Sequence, residues 1–254
     1  MKNIFLLNLN KWKKILAFID RDDKMIIALN NKCNFKIEEF LTYQQELNKI
    51  VDNNLIVLCP TSLYLSVAKL DNIKLGAQNT SCTKEGAYTG EISATQLKSL
   101  NVEYCIVGHS ERRKNQKESN EEIKEKITRL LEENITPILC VGETKEEREK
   151  KQVEQILREE LAILNDINDK ERIIIAYEPI WSIGTGLIPS NTEIKEVINL
   201  IKTNYPNNKV LYGGSANEKN IDELKKIREI DGYLIGGMSL HPEKIQEFLQ
   251  KLKN

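Results

Sequence analysis

The chain has 254 residues, 40% hydrophobic and 30% charged, which is enough for one large domain with a substantial core. Its 37 basic and 38 acidic residues give a formal net charge of -1, which argues against a nucleic-acid partner. Its five cysteines are widely spaced, and no apolar run approaches the roughly 18 residues of a membrane-spanning helix. These features predict a cytoplasmic protein with reduced thiols and no membrane partner.

Residues 1–24 are predicted to be an extension, to which the sequence assigns no role. Leu9, Trp12, Leu16 and Ile19 recur at near-helical spacing with lysines between them, which favours a short amphipathic helix. A packed accessory segment is the preferred interpretation. A membrane-surface or targeting role remains the alternative, although no cleavage signature follows.

From Met25 onward, short apolar runs alternate with stretches of helical periodicity. The predicted strands are Met25–Leu29, Leu55–Cys59, Ile73–Ala77, Tyr104–Val107, Ile135–Val141, Arg172–Tyr177, Lys209–Tyr212 and Gly232–Ile235. The predicted helices are Ile37–Val51, Asn120–Glu133, Glu146–Leu164, Thr192–Asn204, Ile221–Glu229 and Pro242–Lys251. Eight such units predict a closed (β/α)8 barrel over residues 25–254, since such barrels typically have roughly 250 residues. An open doubly wound sheet would want a Gly-x-Gly-x-x-Gly turn after the first strand, which residues 30–32 do not resemble.

Polar or small residues follow most of the predicted strands. They are Asn30 and Lys32, Gln78 and Asn79, His109 and Glu111, Glu143, Glu178, Gly213–Ser215, and Gly236 with Gly237. The carboxyl ends of parallel barrel strands meet on one face, where barrel enzymes build their sites. The pattern therefore predicts one functional site rather than several.

Glu178 directly follows the sixth predicted strand. The next residues have the composition of a hinged lid: Pro179, Ile180, Trp181, Ser182, Ile183, Gly184, Thr185 and Gly186. A carboxylate beside a loop that closes and expels water suits proton abstraction from carbon. The alternative is a helix-capping Glu before an ordinary turn. The glycines after the last two strands predict a phosphate site made of backbone N–H groups.

Lys32 and His109 are candidates to stabilise negative charge on a ligand oxygen. A helix N-terminus near His109 would disfavour the imidazolium and leave a neutral hydrogen-bond donor, whereas His241 is expected at the surface. Glu111 either pairs with Lys32 or helps to orient the site. Together with Glu178, these groups predict proton transfer next to a carbonyl through an enediolate, with no metal and no cofactor.

Six motifs resemble the triosephosphate isomerase family: GAQNTSCTKEGAYTGEIS, VGHSERR, PILCVGET, AYEPIWSIGTG, LYGGSANE and DGYLIGGMSL. The same acid–base chemistry is known for that enzyme, so the roles proposed for these residues are not independent of the resemblance. The resemblance implies a glycolytic isomerase of three-carbon phosphates with Lys32, His109 and Glu178 as catalytic residues. It implies ligand contacts at Asn30, Lys32, Gly184, Ser215, Gly236 and Gly237.

The resemblance also implies a homodimer in which the loop at Thr89–Glu91 of one subunit supports the other's site. The chain departs from the family pattern at Asn31 and Cys33, where a tryptophan and a methionine are usual, and at Leu187–Pro189 after the lid. These departures leave two alternatives open: a non-catalytic barrel that acts as a binding or scaffold protein, and a different sugar-phosphate enzyme.

Overall fold

The computed structural model describes residues 24–183 and 187–253. Eight parallel strands close into a barrel in chain order, so the predicted fold class is confirmed. The strands are β1 (Ile26–Asn30), β2 (Leu55–Cys59), β3 (Lys74–Ala77), β4 (Tyr104–Val107), β5 (Thr136–Val141), β6 (Ile174–Tyr177), β7 (Val210–Tyr212) and β8 (Gly232–Ile235). The pairing of β1 with β8, from Ile26 opposite Gly232 to Leu29 opposite Ile235, closes the ring. The amphipathic pattern predicted between Leu9 and Ile19 lies outside the described residues.

Alternate residues of seven of the eight strands enter two separate apolar clusters; β3 contributes to the larger one only. Ile26 and Ala28 belong to the smaller one, with small or branched side chains from β2, β4, β5, β6, β7 and β8. Ile27 and Leu29 belong to the larger one, together with apolar residues of the helices. Because both faces of these seven strands are buried, they read as continuous apolar runs rather than as alternating patterns, whereas β3 begins with an exposed Lys74.

Helices connect the strands around the outside of the barrel. They are α1 (Ile37–Asn48), α2 (Ala94–Ser99), α3 (Ser110–Asn115), α4 (Asn120–Glu132), α5 (Lys145–Glu149), α6 (Val153–Leu161), α7 (Asn191–Asn204), α8 (Ile221–Leu224) and α9 (Pro242–Lys253). Several begin with a capping box, as at Ser119 and Ser190, whose hydroxyls accept the backbone N–H three residues later. In the part of the chain that the structure describes, no helix is both long and apolar enough to cross a bilayer.

Two predicted helices are wrong in extent. The helix predicted over Glu146–Leu164 is α5 and α6, separated at Lys151, which has a left-handed φ of 58°. No glycine or proline marks this break, so periodicity alone reads through it. The break lets Arg148 of α5 point inward, where its guanidinium donates to Glu143 at 2.7 Å. The helix predicted over Ile221–Glu229 ends as α8 at Leu224.

Candidate active site

β1 delivers Asn30 and Lys32 to the carboxyl end of the barrel. Lys32 has a φ of 52°, a left-handed conformation that is strained for a residue with a side chain. Its N–H donates to Asn30 Oδ1 at 3.0 Å, and its carbonyl accepts from Gln78 Nε2 at 2.9 Å. Its ammonium lies 2.5 Å from Glu111 Oε1, so Glu111 pairs with Lys32. The strained backbone is thus fixed by two side chains, Asn30 at the end of β1 and Gln78 in the loop after β3.

His109 caps the N-terminus of α3 immediately after β4. Its Nδ1 accepts the Glu111 N–H at 3.2 Å, which requires an unprotonated Nδ1 and assigns the proton of the neutral ring to Nε2. Nε2 lies 3.1 Å from Glu178 Oε1. Burial by itself lowers the pKa of His109, but the Glu178 carboxylate raises it, and the net shift is upward.

Glu178 follows β6 and is almost completely buried. Besides His109, its carboxylate accepts the Ser110 N–H at 3.2 Å. Burial alone would raise the pKa of Glu178, but His109, the Ser110 N–H and Lys32 lower it overall. The carboxylate is therefore held ionised, in contact with the imidazole and at the start of a helix.

Two glycines leave room for Glu178. A Cβ on Gly142 would lie 1.8 Å from the Glu178 carbonyl oxygen, and a Cβ on Gly213 would lie 2.9 Å from Glu178 Cγ. Any side chain at Gly142 would displace the Glu178 main chain. The ends of β5 and β7 thus pack against the candidate base so closely that only glycine fits at Gly142.

Lys32 and His109 line a cavity of about 460 Å³. Asn30 and Glu111 line it as well, and it extends outward to Gly90 and Glu91. Within the described residues Glu178 does not line this cavity, and it meets the cavity wall through its contact with His109. The structure therefore brings the three candidate catalytic groups into one cluster, with the carboxylate turned away from the open space.

The candidate phosphate-binding residues lie after β7 and β8. Gly236 packs against Lys32, because a Cβ there would be 3.3 Å from Lys32 Cε. Gly237 starts a single 3-10 turn that ends at Leu240. Ser215 donates its hydroxyl to the Ser182 carbonyl at 2.5 Å, and its N–H donates to Ser182 Oγ at 3.2 Å. The turn after β7 is thus bonded to the start of the predicted lid.

The first part of the predicted lid, Pro179–Ile183, forms a short 3-10 turn at Ile180–Ser182. The Trp181 indole N–H donates to Glu143 Oε1 at 3.0 Å, and the Arg148 guanidinium lies 5.4 Å from the centre of the Trp181 ring. Gly184, Thr185 and Gly186 lie outside the described residues. His241 is half exposed, as the sequence predicts.

A partly buried contact between Arg113 and Glu160 behind the site was missed by sequence reasoning. Arg113 donates to the Gly108 carbonyl at 2.8 Å and lies 3.5 Å from Glu160, whose other oxygen accepts the Gly142 N–H at 2.8 Å. Burial raises the pKa of Glu160 to about 7, although Arg113 opposes the shift. Glu160 lies on a helix with several other charged residues, and no sequence signal distinguishes it from its exposed neighbours.

Comparison with known proteins assigns the chain to a family. The family model described as triosephosphate isomerase matches residues 25–252. The triosephosphate isomerase of Mycoplasmopsis agalactiae is 38% identical over 250 residues, covering 95% of this chain and 93% of that protein. Those of Dictyoglomus turgidum and Dictyoglomus thermophilum are 42% and 44% identical, over 89% and 87% of this chain and 99% and 96% of their own lengths.

Proposed function

The chain belongs to the triosephosphate isomerase family, and from that premise we propose that it interconverts dihydroxyacetone phosphate and D-glyceraldehyde 3-phosphate. The observation that carries the proposal is the 3.1 Å contact between Glu178 and His109, beside the Lys32–Glu111 pair. A carboxylate base, an imidazole donor and a fixed cation are the groups that proton transfer next to a carbonyl requires. Residues 25–254 are the proposed catalytic domain.

Glu178 acts as the base. Its carboxylate removes a proton from the carbon next to the substrate carbonyl, and the electron pair of that C–H bond forms an enediolate. Glu178 then returns the proton to the adjacent carbon. His109 Nε2 gives its proton to the former carbonyl oxygen and takes one from the neighbouring hydroxyl, so the enzyme is unchanged after one turnover. To reach the substrate, the carboxylate leaves His109 and the Ser110 N–H, contacts that lower its pKa. Losing them makes Glu178 a stronger base.

His109 and Lys32 stabilise the charge that develops on oxygen. The Nε2–H of His109 becomes available as a donor when Glu178 turns away, because Nδ1 is already occupied by the Glu111 N–H. Lys32 adds a positive charge in a fixed position. A neutral donor and a cation placed before the reaction lower the barrier without costly reorganisation.

The phosphate of the substrate binds to backbone N–H groups of the turns at Ser215 and at Gly236–Gly237, with Asn30 and Gly184 as further contacts. Ser215 is bonded to Ser182, so an anion that recruits the Ser215 N–H and hydroxyl would also release the first turn of the lid. Such coupling would close the lid only over a phosphorylated ligand and would keep water from the enediolate.

The proposed assembly is a homodimer. The cavity beside Lys32 extends to the loop at Thr89–Glu91 and has room for a segment of a second copy, which would shield Lys32 and Glu111 from water. The measurement is the mass in solution at micromolar protein concentration, and a monomeric mass would contradict the assembly.

The test of the activity is a coupled assay of triose phosphate isomerisation with the full chain and with Glu178→Gln. Gln keeps the shape of Glu178 but cannot accept a proton, so the rate should fall by a factor on the order of 10³ or more while the unfolding transition changes little. An unchanged rate would remove Glu178 as the base. A wild-type chain that binds phosphate but turns over no three-carbon phosphate would indicate a different sugar-phosphate enzyme.

A further inference from the structure

Asn31 lies between Asn30 and Lys32 and is 1% exposed. Its Nδ2 donates to the Ser239 carbonyl at 3.3 Å, to Ser239 Oγ at 3.2 Å and to the Tyr43 hydroxyl at 3.3 Å. Tyr43 itself donates to the Ser239 carbonyl at 2.6 Å. The orientation of the amide is fixed by this arrangement, because a reversed amide would set its oxygen against the Ser239 carbonyl.

Ser239 belongs to the turn that Gly236 and Gly237 begin. Its N–H donates to the Gly236 carbonyl at 2.8 Å, and its hydroxyl donates to the Asn30 carbonyl at 3.0 Å. The Ser239 side chain thus links the turn after β8 to the end of β1, on the buried side of the turn. On the upper side, Lys32 Cε packs against Gly236.

The contacts of Asn31 are incomplete in one respect. Its Oδ1 is buried and has no hydrogen-bond partner. An apolar side chain of similar volume would break the three Nδ2 contacts, but it would also remove a buried acceptor that retains its desolvation penalty. Tyr43 would still donate to the Ser239 carbonyl, so we expect a small net change in stability. Local stability therefore does not explain an asparagine at this position.

We propose that Asn31 is a positioning residue that holds the Gly236–Gly237 turn in register with Lys32, so that the turn and the lysine bind two parts of one small phosphorylated ligand. The inference rests on the proposed function, because it needs a phosphate at that turn. Its effect is on ligand binding: a shift of the turn weakens the phosphate contacts, while Glu178 and His109 stay in place after β6 and β4.

The test compares Asn31→Leu with Asn208→Leu. Asn208 is a buried asparagine before β7 at the opposite end of the barrel, where its Nδ2 donates to the carbonyls of Lys170 and Ile173 at 2.7 and 2.8 Å. For Asn31→Leu we expect KM for glyceraldehyde 3-phosphate and the inhibition constant of inorganic phosphate to rise on the order of tenfold, with kcat and Tm nearly unchanged. For Asn208→Leu we expect a lower Tm with both binding constants unchanged.

A folded Asn31→Leu variant whose KM and phosphate inhibition constant stay within twofold of wild type would overturn the inference. If that variant fails to fold, Ser239→Ala and Tyr43→Phe remove the same links one at a time and should weaken phosphate binding in the same direction. Phosphate binding can also be followed directly by calorimetry. A wild-type chain that binds phosphate without isomerase activity would refute the proposed function, and the comparison of binding between wild type and Asn31→Leu would still decide the role of Asn31.

Discussion

At the amino-terminal end of the barrel, polar side chains that are largely buried form hydrogen bonds to nearby backbone groups and ion pairs with nearby lysines. Asn208 binds two carbonyls, and Asp231 accepts the Val210 N–H at 2.8 Å and the Lys202 ammonium at 2.7 Å. At the carboxyl end, Glu178 is bonded to His109, Lys32 has a left-handed backbone, and Glu143 has one oxygen without a partner. Left-handed backbone and an unpartnered buried carboxylate oxygen also occur at the amino-terminal end, at Asn134 and Glu229. The two ends differ in what their polar and charged groups meet: Lys32 and His109 line a cavity at the carboxyl end, with Glu178 against the imidazole.

The largest expected contrast between the two ends comes from removing one lysine at each. Lys32→Met deletes the cation beside the ligand and should lower kcat/KM by a factor on the order of 10³. Lys202→Met deletes the partner of Asp231 and should lower Tm while kcat/KM stays within about twofold. Steady-state kinetics and thermal unfolding of both variants check this. Equal losses of activity in the two variants would contradict the assignment of catalysis to the carboxyl end and of stability to the amino-terminal end.

The second contrast concerns pH. Because burial raises the pKa of Glu160 to about 7 from 4.5, the native protein holds a proton there that the unfolded chain has released. The contribution of Glu160 to stability is therefore greatest below about pH 4.5 and is lost as the pH rises through about 7. Glu160→Gln cannot titrate, so its stability relative to wild type should increase by roughly 2 to 3 kcal/mol between pH 5 and pH 8.

Urea unfolding of both proteins at the two pH values measures this difference. Arg113, Glu178 and Glu147 are the charged groups that act on Glu160. If the free energies of unfolding of wild type and Glu160→Gln change in parallel between pH 5 and pH 8, then Glu160 has the same pKa in the folded and unfolded states. Its burial would then not lower the stability of the protein at high pH.

The smallest expected effect is at the lid. Trp181→Phe removes the indole donor to Glu143 while Arg148 still binds that carboxylate, so kcat should change by no more than about fivefold. Tyr205→Phe removes a similar contact, to the Leu161 carbonyl at 2.9 Å, at the amino-terminal end. It should lower the free energy of unfolding by about 1 kcal/mol with no change in kcat. A larger change in kcat for Tyr205→Phe than for Trp181→Phe would contradict the proposed difference between the two ends of the barrel.

The sequence predicts the strands of the barrel well, because each is a short apolar run followed by a polar or small residue. The same rule brings Lys32, His109 and Glu178 to one face without any knowledge of contacts. Helix lengths are less accessible: no glycine or proline marks the break at Lys151, which lets Arg148 reach Glu143. The burial of Glu160 and the hydrogen-bond partners of Asn31 also cannot be predicted from the sequence, since both depend on contacts between residues far apart in the chain.

The most direct test of proton transfer by Glu178 is isomerisation of glyceraldehyde 3-phosphate in D2O. A proton held on a carboxylate exchanges with solvent, so the dihydroxyacetone phosphate formed should carry deuterium in its hydroxymethyl group, and Glu178→Gln should form this product at a rate lower by orders of magnitude. Product formed at the full rate and without deuterium by both wild type and Glu178→Gln would mean that hydrogen moves directly between the two carbons, and Glu178 would not be the base.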